Sequence, residues 1–155
     1  MKYIDGENPI TFDPYIAYLN TIRDQLPAHV WTFASDPRHY RLDTPESLHD
    51  SWLESLTIEE PATGDRKERR TTAITLRFLG PMHDRHHVLR YERVHNHEIV
   101  GPTVRRGHAD LYTHEVRIAD DGQAIVHELV FAHGEGADAR ILIECADIRH
   151  EMVLC

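Results

Sequence analysis

The feature that most constrains the fold is a hairpin signal in the second half of the chain. The turn-forming residues Asp120–Gln123 stand between two alternating apolar and polar runs, Leu111–Ile118 and Ala124–Ala132. Alternation with a period of two is typical of a strand that buries one face. Pairing Ile118 with Ile125 places the apolar residues of both strands on one face: Val116 opposite His127, His114 opposite Leu129, and Tyr112 opposite Phe131. The sequence therefore predicts an antiparallel sheet packed on one side.

A second hairpin is predicted from Thr71–Leu79 and the returning run His87–Arg93, joined by a turn at Gly80–Asp84. In the register that matches their apolar faces, Phe78 lies opposite His87, Leu76 opposite Leu89, and Ile74 opposite Tyr91. Three further runs have strand character, and the polar stretch Pro61–Arg70 is typical of an exposed connection. Those runs are Trp52–Glu59, Ile141–Cys145 and Ile148–Leu154.

The amino-terminal part of the chain has helical rather than strand periodicity. Apolar residues recur on one helical face from Pro14 to Leu26, with Asp13 as the expected capping residue, and a shorter helix is predicted over Pro27–Ala34. We therefore expect a single α+β domain over residues 1–155. Two N-terminal helices precede a six- or seven-stranded, mainly antiparallel meander sheet, with an irregular stretch at His95–Ala109.

Composition restricts the class of function. A formal charge of −9 is the wrong sign for coating a phosphate backbone, so a nucleic-acid partner is not expected, whereas a more basic protein partner is. No apolar run approaches the ~20 residues of a membrane span, and the first ten residues lack the apolar core of a secretory signal. Two cysteines cannot form a disulfide framework. These features predict a cytoplasmic protein without a membrane partner.

The chain is rich in histidine, with 13 residues, and its densest polar cluster runs from His83 to Glu98. A zinc site needs three or four convergent ligands, and no familiar ligand spacing is present, so we predict no metal and no cofactor. The predicted binding residues come from this cluster and from the stretch after it: Arg90, Glu92, His95, His97, Arg105, Arg106 and His108. The alternative is that they serve a metal-free ribonuclease, in which imidazoles act as acid and base and arginines stabilise charge, or a metal-dependent hydrolase.

A second group of polar residues falls on the apolar face of the predicted strands. His114, His127 and Cys145 lie there, and two imidazoles with a thiolate form an acceptable zinc set. An inward histidine in a sheet is more often a core residue whose ring nitrogens are hydrogen-bonded. We therefore predict that these three are core residues.

The segment Leu48–Leu56, a His-Asp turn followed by regularly spaced apolar residues, resembles the opening of small bacterial α+β proteins of the immunity type in polymorphic toxin systems. Ile74–Gly80 and the strands carrying His114–Val116 and His127–Leu129 are similar to the hairpins of those proteins. A second similarity, through Arg90–His95 and His108–Asp110, is to toxins of the TumE kind, although the spacing between these two segments is longer here.

The resemblance to immunity proteins implies a non-catalytic role in binding another protein, such as a basic toxin. Charge complementarity would then accelerate encounter and discourage wrong partners. We therefore expect a small cytoplasmic binding module and no enzyme activity. A homodimer paired through an exposed sheet edge is a further alternative.

Overall fold

A computed structural model describes residues 1–4, 12–101, 107–132 and 137–155. The expected pair of N-terminal helices is present as α1 (Asp13–Thr21) and α2 (Ala28–Ser35), each followed by a short 3-10 helix, Arg23–Gln25 and Pro37–Tyr40. The predicted cap is wrong: Asp13 is the first residue of α1, Phe12 holds the capping position, and no side chain bonds there. Leu26 has an extended backbone, the conformation that a following proline favours, and it separates the two helices.

Every strand in the described residues pairs antiparallel with its neighbours. Six of the strands form a sheet that closes on itself into a barrel, and two very short strands form a separate ribbon within the exposed connection Pro61–Arg70. The strands are β1 (Trp52–Glu59), β2 (Ala62–Thr63), β3 (Arg69–Arg70), β4 (Thr72–Leu79), β5 (Arg85–Val100), β6 (Asp110–Ile118), β7 (Ile125–Ala132) and β8 (Ala137–Leu154). The α+β class with a mostly antiparallel sheet is therefore confirmed.

The order of the strands differs from the predicted meander. Around the barrel they follow the order β1-β4-β5-β8-β7-β6, so that β5 pairs with β8 and not with the next strand of the barrel in the sequence. β5 and β8 have 16 and 18 residues, and they pair from Arg85↔Leu154 to Val100↔Arg140. The residues from His95 to Val100, predicted to be irregular, therefore belong to a strand, and the two predicted C-terminal strands are one.

Both predicted hairpin registers are present, apart from one pair. The pairs Ile74↔Tyr91, Leu76↔Leu89 and Phe78↔His87 join β4 and β5 as expected. In the β6–β7 hairpin a bulge between Leu111 and Thr113 shifts the register, so that Leu111 and not Tyr112 lies opposite Phe131. A bulge adds one residue to one strand, which a regular alternation of apolar residues does not reveal.

Helix α1 and the first residues of the chain cover the edge of β6. The Tyr15 hydroxyl accepts a hydrogen bond from the Val116 N–H at 2.7 Å and donates to the Val116 carbonyl at 3.1 Å. The buried Glu115 carboxylate accepts the backbone N–H groups of Lys2, Tyr3 and Ile4 at 2.7 to 3.2 Å. In the described part of the chain, no helix has the length and apolar character needed to cross a membrane.

Candidate functional site

A cleft lies between α2, with the 3-10 helix after it, and the last part of β8. Its volume is about 490 Å³. One wall is formed by helical residues and the other by four consecutive residues of β8. The lining residues are His29, Thr32, Phe33, Asp36, Arg38, His39, Arg149, His150, Glu151 and Met152.

The wall formed by β8 is an unpaired strand edge. β7 stops pairing with β8 at Cys145, so the residues beyond it have β5 on one side and no described strand on the other. Backbone groups of an antiparallel strand point alternately to its two sides. The Cys155 N–H donates to the Asp84 carbonyl at 2.9 Å, so the backbone groups of Cys155 point toward the β5 side. By alternation, the backbone groups of His150 and Met152 point away from β5. These two residues present their N–H and C=O groups to the cleft.

One end of this edge is closed by a side-chain contact. The Asp147 carboxylate accepts the Ile148 N–H at 3.0 Å, and His29 Nε2 of α2 lies 2.6 Å from the same oxygen. The first free N–H of the edge is thus satisfied, and α2 is fixed to β8. The open part of the edge begins after Ile148 and runs along the cleft.

Imidazole rings and one phenyl ring form the floor of the cleft. The ring centroid of His150 lies 4.8 Å from those of both Phe33 and His39. Behind them, His87 stacks on His150 at 5.3 Å, with His87 Nδ1 3.0 Å from His150 Nε2. His39 is oriented by a contact of 2.9 Å between its Nδ1 and the Phe33 carbonyl. The floor is therefore aromatic, tightly packed and fixed in orientation.

A second histidine pair lies deeper in the barrel. His127 Nδ1 is 2.8 Å from the Tyr91 hydroxyl, and His127 Nε2 is 3.1 Å from His114 Nδ1. If the Tyr91 hydroxyl donates, His127 carries its proton on Nε2 and donates to His114 Nδ1, so both ring nitrogens of His127 have a partner. This arrangement leaves one ring nitrogen, His114 Nε2, buried without a partner among the described residues.

Burial lowers the pKa of these imidazoles because the charged form loses its hydration. The pKa of His87 falls to about 4, with His39 and Arg85 as further causes, and that of His150 falls to about 3, with His39 and His87 adding to the effect of burial. Burial also takes the pKa of His127 to about 3 and that of His114 well below its ordinary value. Acid–base catalysis is most efficient when the pKa is near the working pH. These rings are neutral at pH 7 and suit packing and hydrogen bonding better than proton transfer.

The three residues predicted for the core, His114, His127 and Cys145, are all buried, as expected. Burial raises the pKa of the Cys145 thiol to about 12, so it is protonated at neutral pH. Metal coordination by cysteine requires the thiolate. In the residues that the structure describes, no group of three or more His, Cys, Asp or Glu side chains is placed to hold a metal ion.

The predicted binding residues are spread along β5 and beyond it. Arg90 and Glu92 border a separate cleft of about 340 Å³ on the outer face, where Glu92 Oε1 lies 3.7 Å from Arg90 Nε. His95 and His97 are exposed further along the strand. By strand rise, His97 lies about 23 Å from Arg90. His108 is half-buried, and its ring centroid lies 5.8 Å from that of Phe131 in an edge-to-face arrangement. Arg105 and Arg106 lie outside the described residues. Binding by this set stays a prediction.

The cleft residues were not among those predicted from sequence. A signal for His150 was present, because the alternation Ile148, His150, Met152 places it on the same face as a core residue. His39 follows the Asp36-Pro37 pair, which indicated only where a helix ends. No short-range pattern shows that residues 29 to 39 and 149 to 152 lie side by side, since that contact depends on the barrel closing.

No family model matches this sequence, and comparison with curated proteins and with solved structures found no match either. The function must therefore be inferred from the geometry of the site.

Proposed function

We propose that this protein is a binding module that takes an extended segment of a more basic partner protein into the cleft beside β8, without catalysing a reaction. The observation that carries the proposal is the free edge of β8, where His150 and Met152 present backbone N–H and C=O groups to a cleft. A peptide added as a further strand satisfies such groups with its own backbone.

The size of the cleft fits this mode of binding. From Arg149 to Met152 the edge is about 10 Å long by strand rise, enough for a short extended segment. Successive side chains of an added strand point to opposite faces, so alternate residues of the partner would face the barrel. Phe33, His39 and His150 offer those residues an aromatic surface, which favours apolar or aromatic side chains.

The net charge of the whole protein favours a basic segment. Arg38 is paired with Asp36 at 2.6 Å, and Arg149 lies 3.4 Å from Asp147. Among the residues that line the cleft, Asp36 and Glu151 balance Arg38 and Arg149, and Glu151 has no ion pair among the described residues. The formal charge of the whole chain is −9. Electrostatic attraction of this kind accelerates association and is weakened by salt. An immunity protein that binds a basic toxin is one role that this mode of binding would serve.

The test uses a variant that removes one backbone donor and leaves the sheet intact. Because the Met152 N–H points away from β5, Met152→Pro deletes it without breaking a pair of the sheet, and proline is tolerated at such edge positions. Met152→Leu is the matched control, since it keeps the N–H and a similar side-chain volume. The probe is a phage-displayed library of random peptides, selected on the wild-type protein.

We expect the selected peptides to be rich in lysine and arginine and to bind more weakly as salt rises. Met152→Pro should weaken their binding by about tenfold, as expected for the loss of a backbone hydrogen bond, whereas Met152→Leu should not. Selection of no peptide, or of peptides that bind Met152→Pro as tightly as the wild type, would overturn the proposal.

A further inference from the structure

Four polar side chains form a row across the outer face of the barrel at the end of β8. Glu54 of β1, Arg77 of β4, His86 of β5 and Cys155, which follows β8, come from neighbouring strands. The strand pairing explains the row, because Leu79 of β4 and Val153 of β8 both lie opposite His86. Arg77 is two residues from Leu79, and Cys155 is two residues from Val153. This row is separate from the cleft described above.

The contacts within the row have a definite order. Cys155 Sγ lies 3.3 Å from His86 Nδ1, and His86 Nε2 lies 3.1 Å from Glu54 Oε2. Arg77 holds the carboxylate, with its Nε 3.3 Å from the same Glu54 oxygen, and its Nη2 lies 3.3 Å from His86 Nδ1 and 3.2 Å from His86 Nε2. The His86 side chain is only 13% exposed, whereas Cys155 is exposed to solvent. The imidazole is therefore fixed by a carboxylate and a guanidinium, beside an accessible thiol.

This order assigns a function to each ring nitrogen of His86. The carboxylate can only accept, so Nε2 carries the hydrogen and donates it to Glu54. Nδ1 then has a lone pair, which faces both the Cys155 thiol and Arg77 Nη2, each at 3.3 Å. A nucleophile beside a base, with the base oriented by a third group, is the arrangement that activates thiols and hydroxyls for attack.

We infer that Cys155 is a reactive thiol that exchanges with small disulfides of the glutathione class and becomes modified as a mixed disulfide. In the exchange, His86 Nδ1 takes the proton of the thiol as Cys155 Sγ attacks one sulfur of the small disulfide. The bond between the two sulfurs of the small disulfide breaks, and the leaving sulfur recovers the proton from His86. One disulfide and one thiol are consumed and one of each is formed, so no other oxidant is required.

The second cysteine supplies an internal comparison. Cys145 is buried in the barrel, and burial raises the pKa of its thiol to about 12. Reactivity of this kind requires both exposure and a thiolate, and Cys145 has neither. The modification should therefore be confined to Cys155 while the protein is folded.

The experiment is incubation of the folded protein with oxidised glutathione at pH 7.5, followed by intact mass measurement and peptide mapping. We expect one glutathione per chain, on Cys155, and none in Cys155→Ser. His86→Asn should slow the reaction by about tenfold, because the thiol loses its base. His97→Asn, which removes an exposed imidazole elsewhere on β5, should leave the rate unchanged.

Glu54 is a positioning residue and needs its own variants. Glu54→Gln should slow the reaction, whereas Glu54→Asp, which retains a carboxylate to orient His86, should restore most of the rate. The inference is overturned if no adduct forms, if Cys145 is modified first, or if His86→Asn reacts as fast as the wild-type protein. Because the Met152 variants do not alter this row, the outcome is independent of the peptide-binding test.

Discussion

Acid should destabilise this protein well above the pH at which carboxylates become protonated. Burial holds the pKa of His87 at about 4 and those of His127 and His150 at about 3, against an ordinary value of 6.5. The unfolded chain therefore binds more protons than the folded protein as the pH falls below about 6.5. The contribution of these three neutral imidazoles to the free energy of unfolding is complete above pH 6.5, and it is lost as the pH falls toward their pKa values in the folded protein.

The magnitude follows from the linkage relation. At pH 5.5 an unfolded imidazole with a pKa of about 6.5 gains about 1.4 kcal/mol from protonation, while a folded ring with a pKa of 4 or below gains almost nothing. Three such rings together lower the free energy of unfolding by about 4 kcal/mol between pH 7.5 and pH 5.5. Because domains of this size are stable by only about 5 to 15 kcal/mol, the loss is readily measurable.

The assay is urea unfolding at pH 7.5, 6.5 and 5.5, with each variant compared with itself at pH 7.5 so that packing losses cancel. His150→Gln should lose about 1 kcal/mol less than the wild-type protein at pH 5.5, because one buried imidazole is gone. His97→Gln, at an exposed position, should follow the wild-type curve. A wild-type loss below about 1 kcal/mol at pH 5.5, or an unchanged loss in His150→Gln, would refute the reasoning.

Three other substitutions test the interior of the fold. Glu115→Gln should lower the free energy of unfolding by about 2 kcal/mol in urea, because the buried carboxylate accepts three backbone N–H groups. Glu59→Gln on the exposed β1 should lower it little, and equal effects of the two substitutions would contradict this explanation. Tyr91→Phe should cost about 1 to 3 kcal/mol by leaving His127 Nδ1 unpaired in the core, and a variant as stable as the wild type would show that this hydrogen bond is dispensable. Leu89→Ala, at a fully buried position, should cost about 2 to 5 kcal/mol by thermal or urea unfolding, whereas a loss below about 1 kcal/mol would mean that the barrel interior collapses around the cavity.

Local pairings in this fold could be predicted from the sequence because they depend on alternation over a few residues. The pairs Leu76↔Leu89 and Val116↔His127 follow from matching apolar faces across a short turn. The bounds of β1 followed from the same period of two. The bulge at Tyr112 could not be predicted in this way, since an inserted residue changes the register without altering composition.

The order of the strands depends on contacts between distant segments. The alternation of apolar residues predicted which face of β5 points into the barrel. It did not predict that Val94 and Cys145 are paired across neighbouring strands. The candidate site depends on the same long-range pairing, because the free edge exists only where β8 extends beyond β7. His95 and His97 were predicted as binding residues because they belong to a polar cluster of consecutive residues. In an extended strand, consecutive side chains are spread along the length of the strand and do not converge on one site.

The pairing of β5 with β8 also governs when the barrel can form. β8 leaves the ribosome after all the other strands, yet it joins the two hairpins, with β5 on one side and β7 on the other. Until it is synthesised, β5 lacks one neighbour along its whole length and the β6–β7 hairpin has no link to β5. The barrel should therefore close late, and folding should be slow, as expected when long-range pairing dominates. A chain shortened before β8 would keep its local hairpins without a common core.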